Sequence, residues 1–223
     1  MAQAGLHALV GAATRKITLK KEWLMLGIIL GNLIPDLDNY AVAIATVAGW
    51  DTHGLHRTFT HSLFTILAVL MVFSIIAQIS QQERWRNLSF GLGIGLGLHI
   101  ILDLLIWFNG VELLWPLGGW VNWWANVNPP NWFTTLLNPA EFLFLALYFA
   151  WLASLSHVHK TNPEFRSTLR FWMIGMVILL AVFTPLAYVM NTGFQTIFGV
   201  FYLASLTAAF VITIRMRLTI EAF

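Results

Sequence analysis

His99 and Asp103 stand four residues apart inside the apolar run 88–108, and Asp36 and Asp38 interrupt another apolar run directly after Pro35. An i, i+4 spacing puts the first pair on one face of a helix, where both side chains can reach one ion or two adjacent ions. A carboxylate ionised at membrane depth costs about 3 kcal/mol even on lenient insertion scales, so it persists only with a partner. Partners of the right type are present: His7, and His56 and His61 of the stretch Leu55-His56-Arg57-Thr58-Phe59-Thr60-His61-Ser62. Histidines and carboxylates together point to a bound divalent metal.

Each of these residues also has a structural reading. His99 and Asp103 would equally serve as a hydrogen-bonded pair between packed helices. Asp36 and Asp38 could cap a helix end; as metal chemistry, Asp36 is the favoured ligand, and Asp38 a second ligand or a group orienting one. Thr60 could cap a helix starting near Ser62, whereas the two histidines have no such explanation. Arg57 could clamp a phosphate by paired hydrogen bonds or snorkel to lipid phosphates. Asp51 and His53 read as solvated loop residues, His157 and His159 as surface residues beside Lys160, and Glu112 and Glu141 as interfacial acids. Gly91, Gly93, Gly95 and Gly97 mimic a phosphate loop, but within a membrane helix small residues allow close helix packing. Ser62 lacks the strand-turn-helix setting of a nucleophile elbow.

The elements that must position these groups follow from composition. Hydrophobic residues make up 58% of the 223 and charged ones 10%, and mean hydropathy is +0.74, against a charged fraction of about 25% in soluble domains. The chain is expected to be an all-α, polytopic membrane bundle. The net charge of +2 sits in small basic groups beside apolar runs, the pattern of topology signals and not of nucleic-acid binding. The absence of cysteine excludes disulfides, thiolate metal sites and a cysteine nucleophile. No basic n-region precedes the first apolar stretch, so no cleavable signal peptide is expected.

Five runs approach the roughly 20 residues a span needs: 62–80, 88–108, 139–157, 169–190 and 194–214, the last two divided by the turn signal Asn191-Thr192-Gly193. Residues 3–14 and 22–35 are apolar but short, and read as a helical hairpin that crosses only partly. The basic residues Arg15, Lys16, Lys20, Lys21, Arg84, Arg86, Lys160, Arg166, Arg170, Arg215 and Arg217 fall on one side, and Arg57 alone on the other. The positive-inside rule makes the first side, with the C-terminus, cytoplasmic. His99 and Asp103 then lie about 17 to 23 Å up their helix, level with His7, Asp36, His56 and His61 in the outer half of the bilayer. Residues 110–138, with Trp115, Trp120, Trp123, Trp124 and Trp132, read as a loop or short helix anchored on the outer leaflet and roofing the site. One integrated domain is expected, made of a metal-site region 1–116, this outer loop, and a three-helix region 139–223.

The ordered set Pro35-Asp36-Leu37-Asp38, His56-Arg57-Thr58-Phe59-Thr60-His61-Ser62, His99-Ile100-Ile101-Leu102-Asp103 and Leu113-Leu114-Trp115-Pro116, with the early His7 and with Gly110, resembles the successive motifs of the YdjM-like membrane-bound metal-dependent hydrolases. Thr58 stands where that pattern has a glycine. The resemblance implies a bacterial membrane hydrolase with metal ligands at His7, Asp36, His56, His61, His99 and Asp103. One or two zinc ions would lower the pKa of a bound water to about 7. Asp36 and Asp38 are the candidate catalytic acids, Arg57 the candidate substrate contact, and a phosphoester of a lipid or lipid-linked molecule the expected substrate. Other partners expected are membrane lipids, with no nucleic acid. The rival readings are a membrane scaffold with a structural metal and an ion or proton transporter; against the latter, nothing polar continues through the cytoplasmic half of the 88–108 run.

Overall fold

The computed structural model describes residues 3–190 and 192–222. They form helices α1 (Ala4–Ala13), α2 (Leu24–Leu33), α3 (Asn39–Ala48), α4 (Leu63–Ser80), α5 (Glu83–Ile106), α6 (Asn131–His159), α7 (Arg166–Val189), α8 (Phe194–Arg215) and α9 (Arg217–Ile220), with 3-10 turns at Pro35–Asp38 and Phe59–His61 among the connections. The strands β1 (Val111–Glu112) and β2 (Trp120–Val121) pair antiparallel. Six helical stretches are long and apolar enough to cross a membrane. The chain is therefore an all-α polytopic membrane protein.

Two boundaries differ from the sequence reading. Leu24–Ala48 forms a sixth stretch of spanning length, because the chain after α2 stays helical through Ile34 and the 3-10 turn Pro35–Asp38 into α3. Pro35 begins that turn, where its missing N–H leaves no bond unmade. Helix α6 begins at Asn131 and carries Pro139 inside it, so the outer segment is a loop with a two-residue β-ladder and no helix before 131. Of the turn signal Asn191-Thr192-Gly193, Asn191 lies outside the described residues; Gly193 takes the left-handed conformation, φ 74°, that opens α8.

The chain divides into two compact units, residues 14–128 and residues 1–13 with 129–223. In the first, α5 packs against α2 and α4. Its contact with α2 is backbone on backbone: a Cβ on Gly31 would lie 2.5 Å from the Leu92 carbonyl oxygen and 2.9 Å from the Gly95 Cα. Gly27 and Gly91 meet in the same way one turn away. Trp124 Nε1 donates to the carbonyls of Leu104 and Leu105, both at 3.1 Å, which closes the C-terminus of α5. In the second unit α6 packs against α1 and α7, around the buried rings of Phe142, Phe183 and Phe198, whose centroids lie 5.4 to 5.6 Å apart. Buried Glu141 accepts the Gly5 N–H at 3.0 and 3.1 Å, which caps the first turn of α1.

Candidate metal centre

The 3-10 turn Pro35–Asp38 has about three residues per turn, so Asp36 and Asp38 point in different directions. Asp36 is fully buried, and Asp38 nearly so. The loop after α3 returns through a second 3-10 turn, Phe59–His61, which packs on the first. Ser62 then caps α4, its hydroxyl oxygen accepting the Phe64 N–H at 3.2 Å. The cap falls on Ser62 and not on Thr60 because the helix starts at Leu63, beyond the intervening turn. Thr60 is thereby freed to donate its hydroxyl to Asp38 Oδ2 at 2.8 Å.

Hydrogen bonds fix the protonation of the histidines. His99 Nδ1 lies 2.7 Å from the Asn32 carbonyl oxygen; a carbonyl only accepts, so Nδ1 carries the proton and Nε2 a lone pair. His61 Nδ1 lies 2.9 Å from the Thr60 hydroxyl oxygen. Because the Thr60 hydrogen is committed to Asp38, His61 Nδ1 is the donor there, which turns its Nε2 toward His99. These two Nε2 atoms face each other at 3.1 Å. Asp103 Oδ2 lies 3.4 Å from His61 Nε2 and 3.9 Å from His99 Nε2, and Asp36 Oδ1 is 3.8 Å from His99 Nε2. Two facing imidazole nitrogens ringed by carboxylate oxygens hold a shared proton or a cation between them. Nitrogen ligands on a tetrahedral zinc are separated by about 3.3 Å, so the His61–His99 spacing suits an ion held between them.

Asp38 does a different job. Its Oδ1 accepts from His56 Nδ1 at 2.7 Å, and its Oδ2 accepts from the Arg57 backbone N–H at 3.2 Å and lies 3.4 Å from His61 Nδ1. A carboxylate on the far nitrogen of a histidine is what orients a metal-binding imidazole. His56 Nε2 is left buried without a hydrogen-bond partner. Burial lowers the pKa of His56 despite Asp38, keeping the ring neutral. At His61 burial also opposes charge, but Asp103 and Asp38 outweigh it and raise the pKa, a mark of the site's preference for a positive charge.

Arg57 is buried, neither solvated nor extended toward lipid. Its backbone is in the left-handed region at φ 63°, pinned by its N–H on Asp38 and its carbonyl accepting from Glu112 N–H at 2.9 Å. The side chain lies over the Trp107 ring at 5.1 Å, with Nε 3.3 Å from Asp103 Oδ2. None of the three guanidinium nitrogens has a hydrogen-bond partner.

Residues 14–128 thus bring together Asp36, Asp38, His56, Arg57, His61, His99 and Asp103. Asp36, His61 and His99 each offer a ligand atom within 4.8 Å of the others, as do Asp38, His56 and His61. His7 is carried by α1 in the other unit. Asp51 and His53 are exposed on the loop after α3, His157 is exposed near the end of α6, and Glu141 is engaged by Gly5. Sequence reasoning did not find the Asn32 carbonyl or Thr60 as groups that set the histidine tautomers. Gly27 and Gly31 were the available signal for the first, since they repeat on α2 the four-residue spacing of Gly91 and Gly95.

A family model described as YdjM inner membrane protein matches residues 2–218. Among curated proteins, the uncharacterized protein YvsG of Bacillus subtilis (strain 168) is 45% identical over 61 residues, 27% of this chain and 34% of YvsG. The match therefore spans about a third of that relative's length. No solved structure matches.

Proposed function

The chain belongs to the YdjM inner membrane protein family, and we propose that this integral membrane protein is a divalent-metal-dependent hydrolase acting on a phosphoester of a lipid or lipid-linked substrate at the non-cytoplasmic face. The observation that carries the reading is the pair of facing Nε2 atoms of His61 and His99, 3.1 Å apart beside Asp36 and Asp103. In this reading His61, His99, Asp36 and Asp103 hold the ion, zinc being the best match to a mixed imidazole and carboxylate set. His56 and His7 are the further ligands, the latter on the strength of the family pattern; they would serve a second ion or complete the first site. The bound metal supplies a Lewis acid and a water acidic enough to attack near neutral pH.

The chain's own groups supply the rest. Asp38, tied to His56, Arg57 and Thr60, holds the imidazoles in the tautomer that presents Nε2. Asp36, whose Oδ1 lies 3.8 Å from His99 Nε2, is the better placed of the two acids to take a proton from the attacking water. Arg57 offers buried N–H groups to a phosphoryl oxygen, which gains from the water-excluded setting. Water attacks phosphorus, the phosphorus–oxygen ester bond breaks, and the leaving oxygen takes a proton. The cytoplasmic placement of the C-terminus and of the basic loops, from the positive-inside rule, sets the proposed site toward the other face.

Elemental analysis of the purified protein tests the centre. Wild type is expected to carry divalent metal in near-stoichiometric amount, and His99→Ala and Asp103→Ala to lack it; full retention by both variants overturns the assignment. Chelator-sensitive release of phosphate from a lipid phosphoester then separates hydrolase from scaffold. Stoichiometric metal with no such turnover favours a structural role.

A further inference from the structure

One apolar groove in residues 14–128 runs along a membrane span and has in its lining Phe59, two residues before His61. It is lined by Phe64, Ala68, Val69, Val72 and Phe73 of α4 together with Phe59 and Trp115, with a volume of 370 Å³. Phe59 and Trp115 are in edge-to-face contact at 5.4 Å. The Trp115 carbonyl is held by the Ser62 hydroxyl at 3.0 Å. Phe59 belongs to the same 3-10 turn, Phe59–His61, that presents His61 to the candidate metal cluster.

We infer that this groove is the hydrocarbon-chain subsite of a lipid phosphate whose head group is held at Arg57 and the His–Asp cluster. The inference rests on the lipid-phosphoester reading above and adds to it the part of the protein that selects the substrate's tail. Three observations carry it. The lining residues of α4 recur at i, i+4, i+8, one continuous stripe whose span from Phe64 to Phe73 is about 14 Å. That is close to half of the roughly 30 Å hydrocarbon thickness, the depth of one leaflet. Second, no other candidate span is more apolar than α4, and the protein buries almost none of it, so hydrocarbon is what surrounds this face. Third, the groove differs from a plain lipid-facing surface at its head. Two residues before Phe59 stands the buried Arg57, whose Nε lies 3.3 Å from Asp103 Oδ2 and whose two terminal nitrogens make no hydrogen bond. A single chain with an anionic head satisfies both ends at once; an uncharged lipid satisfies only the groove.

The test uses the full chain, loaded with zinc, in phosphatidylcholine vesicles containing a trace of phosphatidic acid that carries a diazirine on its acyl chain. After irradiation, crosslinks are mapped by mass spectrometry. Labelling is expected at Val69, Val72 and Phe73 several-fold above the exposed α7 positions Ile174 and Val177. It should fall to the α7 level in Val72→Trp or Ala68→Trp, both exposed positions whose substitution leaves the thermal unfolding unchanged. Excess lysophosphatidic acid should compete and monoacylglycerol should not. Equal labelling of α4 and α7, or labelling indifferent to both tryptophan variants and to lysophosphatidic acid, overturns the subsite. Phosphate release from a lipid phosphoester without groove labelling likewise overturns the subsite and leaves the hydrolase reading standing. Selective, competed labelling without any phosphate release supports the subsite and removes the hydrolase reading.

Discussion

The two compact units are made from the same material, long apolar helices, and bury their polar groups in different ways. Residues 14–128 hold α2 against α5 through glycines, so close that a carbonyl of one helix accepts a hydrogen bond from His99 of the other. The other unit fills its interior with Phe142, Phe183, Phe198 and Tyr202, and its buried acid, Glu141, is spent on the backbone N–H of Gly5. In the first, backbone proximity leaves side-chain nitrogens and carboxylates directed at one another. In the second, Glu141 is engaged by Gly5, and the Tyr148 hydroxyl by Thr213 at 2.7 Å. Without a hydrophobic drive between helices in lipid, close packing is what holds such pairs together. The difference teaches that glycine contacts can bring ligating side chains of two helices together, whereas aromatic packing fills an interior with rings.

The sharpest way to break this comparison is Gly95→Val. Its Cβ would collide with the Ile28 carbonyl, backbone that cannot swing away, so a cost of about 3 kcal/mol or more is expected. Separating α2 from α5 also removes the Asn32 contact that fixes the His99 tautomer, and metal should be lost with the fold's stability. A lower thermal midpoint in detergent together with metal-free protein is the expected result. Normal metal content would show that the glycine contact does not position the site. Next in size is His99→Ala, expected to abolish metal binding, read by elemental analysis, while the glycine interface persists and the protein remains folded by size-exclusion chromatography.

Much of this was legible in the sequence because the signals are physical extremes. A histidine and an aspartate in an apolar run are costly enough to mark a site, and uninterrupted apolar length marks the spans. The ordered motifs collected Asp36, Asp38, His56, His61, His99 and Asp103, which the fold does bring together in one unit. What stayed hidden depends on backbone that sequence pattern does not encode. The different directions in which Asp36 and Asp38 point follow from a 3-10 turn, where periodicity alone had no reason to prefer it to an extended segment. The burial of Arg57 follows from a left-handed residue pinned by Asp38 and Glu112. The sixth span was missed because Pro35 and two aspartates read as an end, whereas the chain stays helical through them.

Phe198→Ala sharpens the contrast from the other side. Removing a buried ring from the aromatic core should lower stability by about 3 kcal/mol, yet leave metal content at the wild-type level. Metal loss in this variant would mean that the support and the site are energetically one. Asp38→Asn probes the orienting role within residues 14–128. An amide keeps the shape but weakens the bonds to His56 and Thr60, and groups that orient ligands typically contribute a factor of about 10 to 100 in metal affinity. A fall of that size, by competition with a zinc chelator, is expected. Complete loss would make Asp38 a ligand instead.

The smallest effect is the most discriminating about glycine itself. Gly97 lies on the same helix as Gly91 and Gly95, and a Cβ there meets nothing within 4 Å. Helical glycine carries a backbone entropy penalty relative to alanine of about 0.5 to 1 kcal/mol, so Gly97→Ala should raise the thermal midpoint slightly and leave metal binding unchanged. If it destabilised the protein as Gly95→Val does, the alternating glycines would act through helix flexibility and not through contact with α2. Opposite signs at two positions one half-turn apart on α5 would show instead that what the site requires is the meeting of two backbones on one face of that helix.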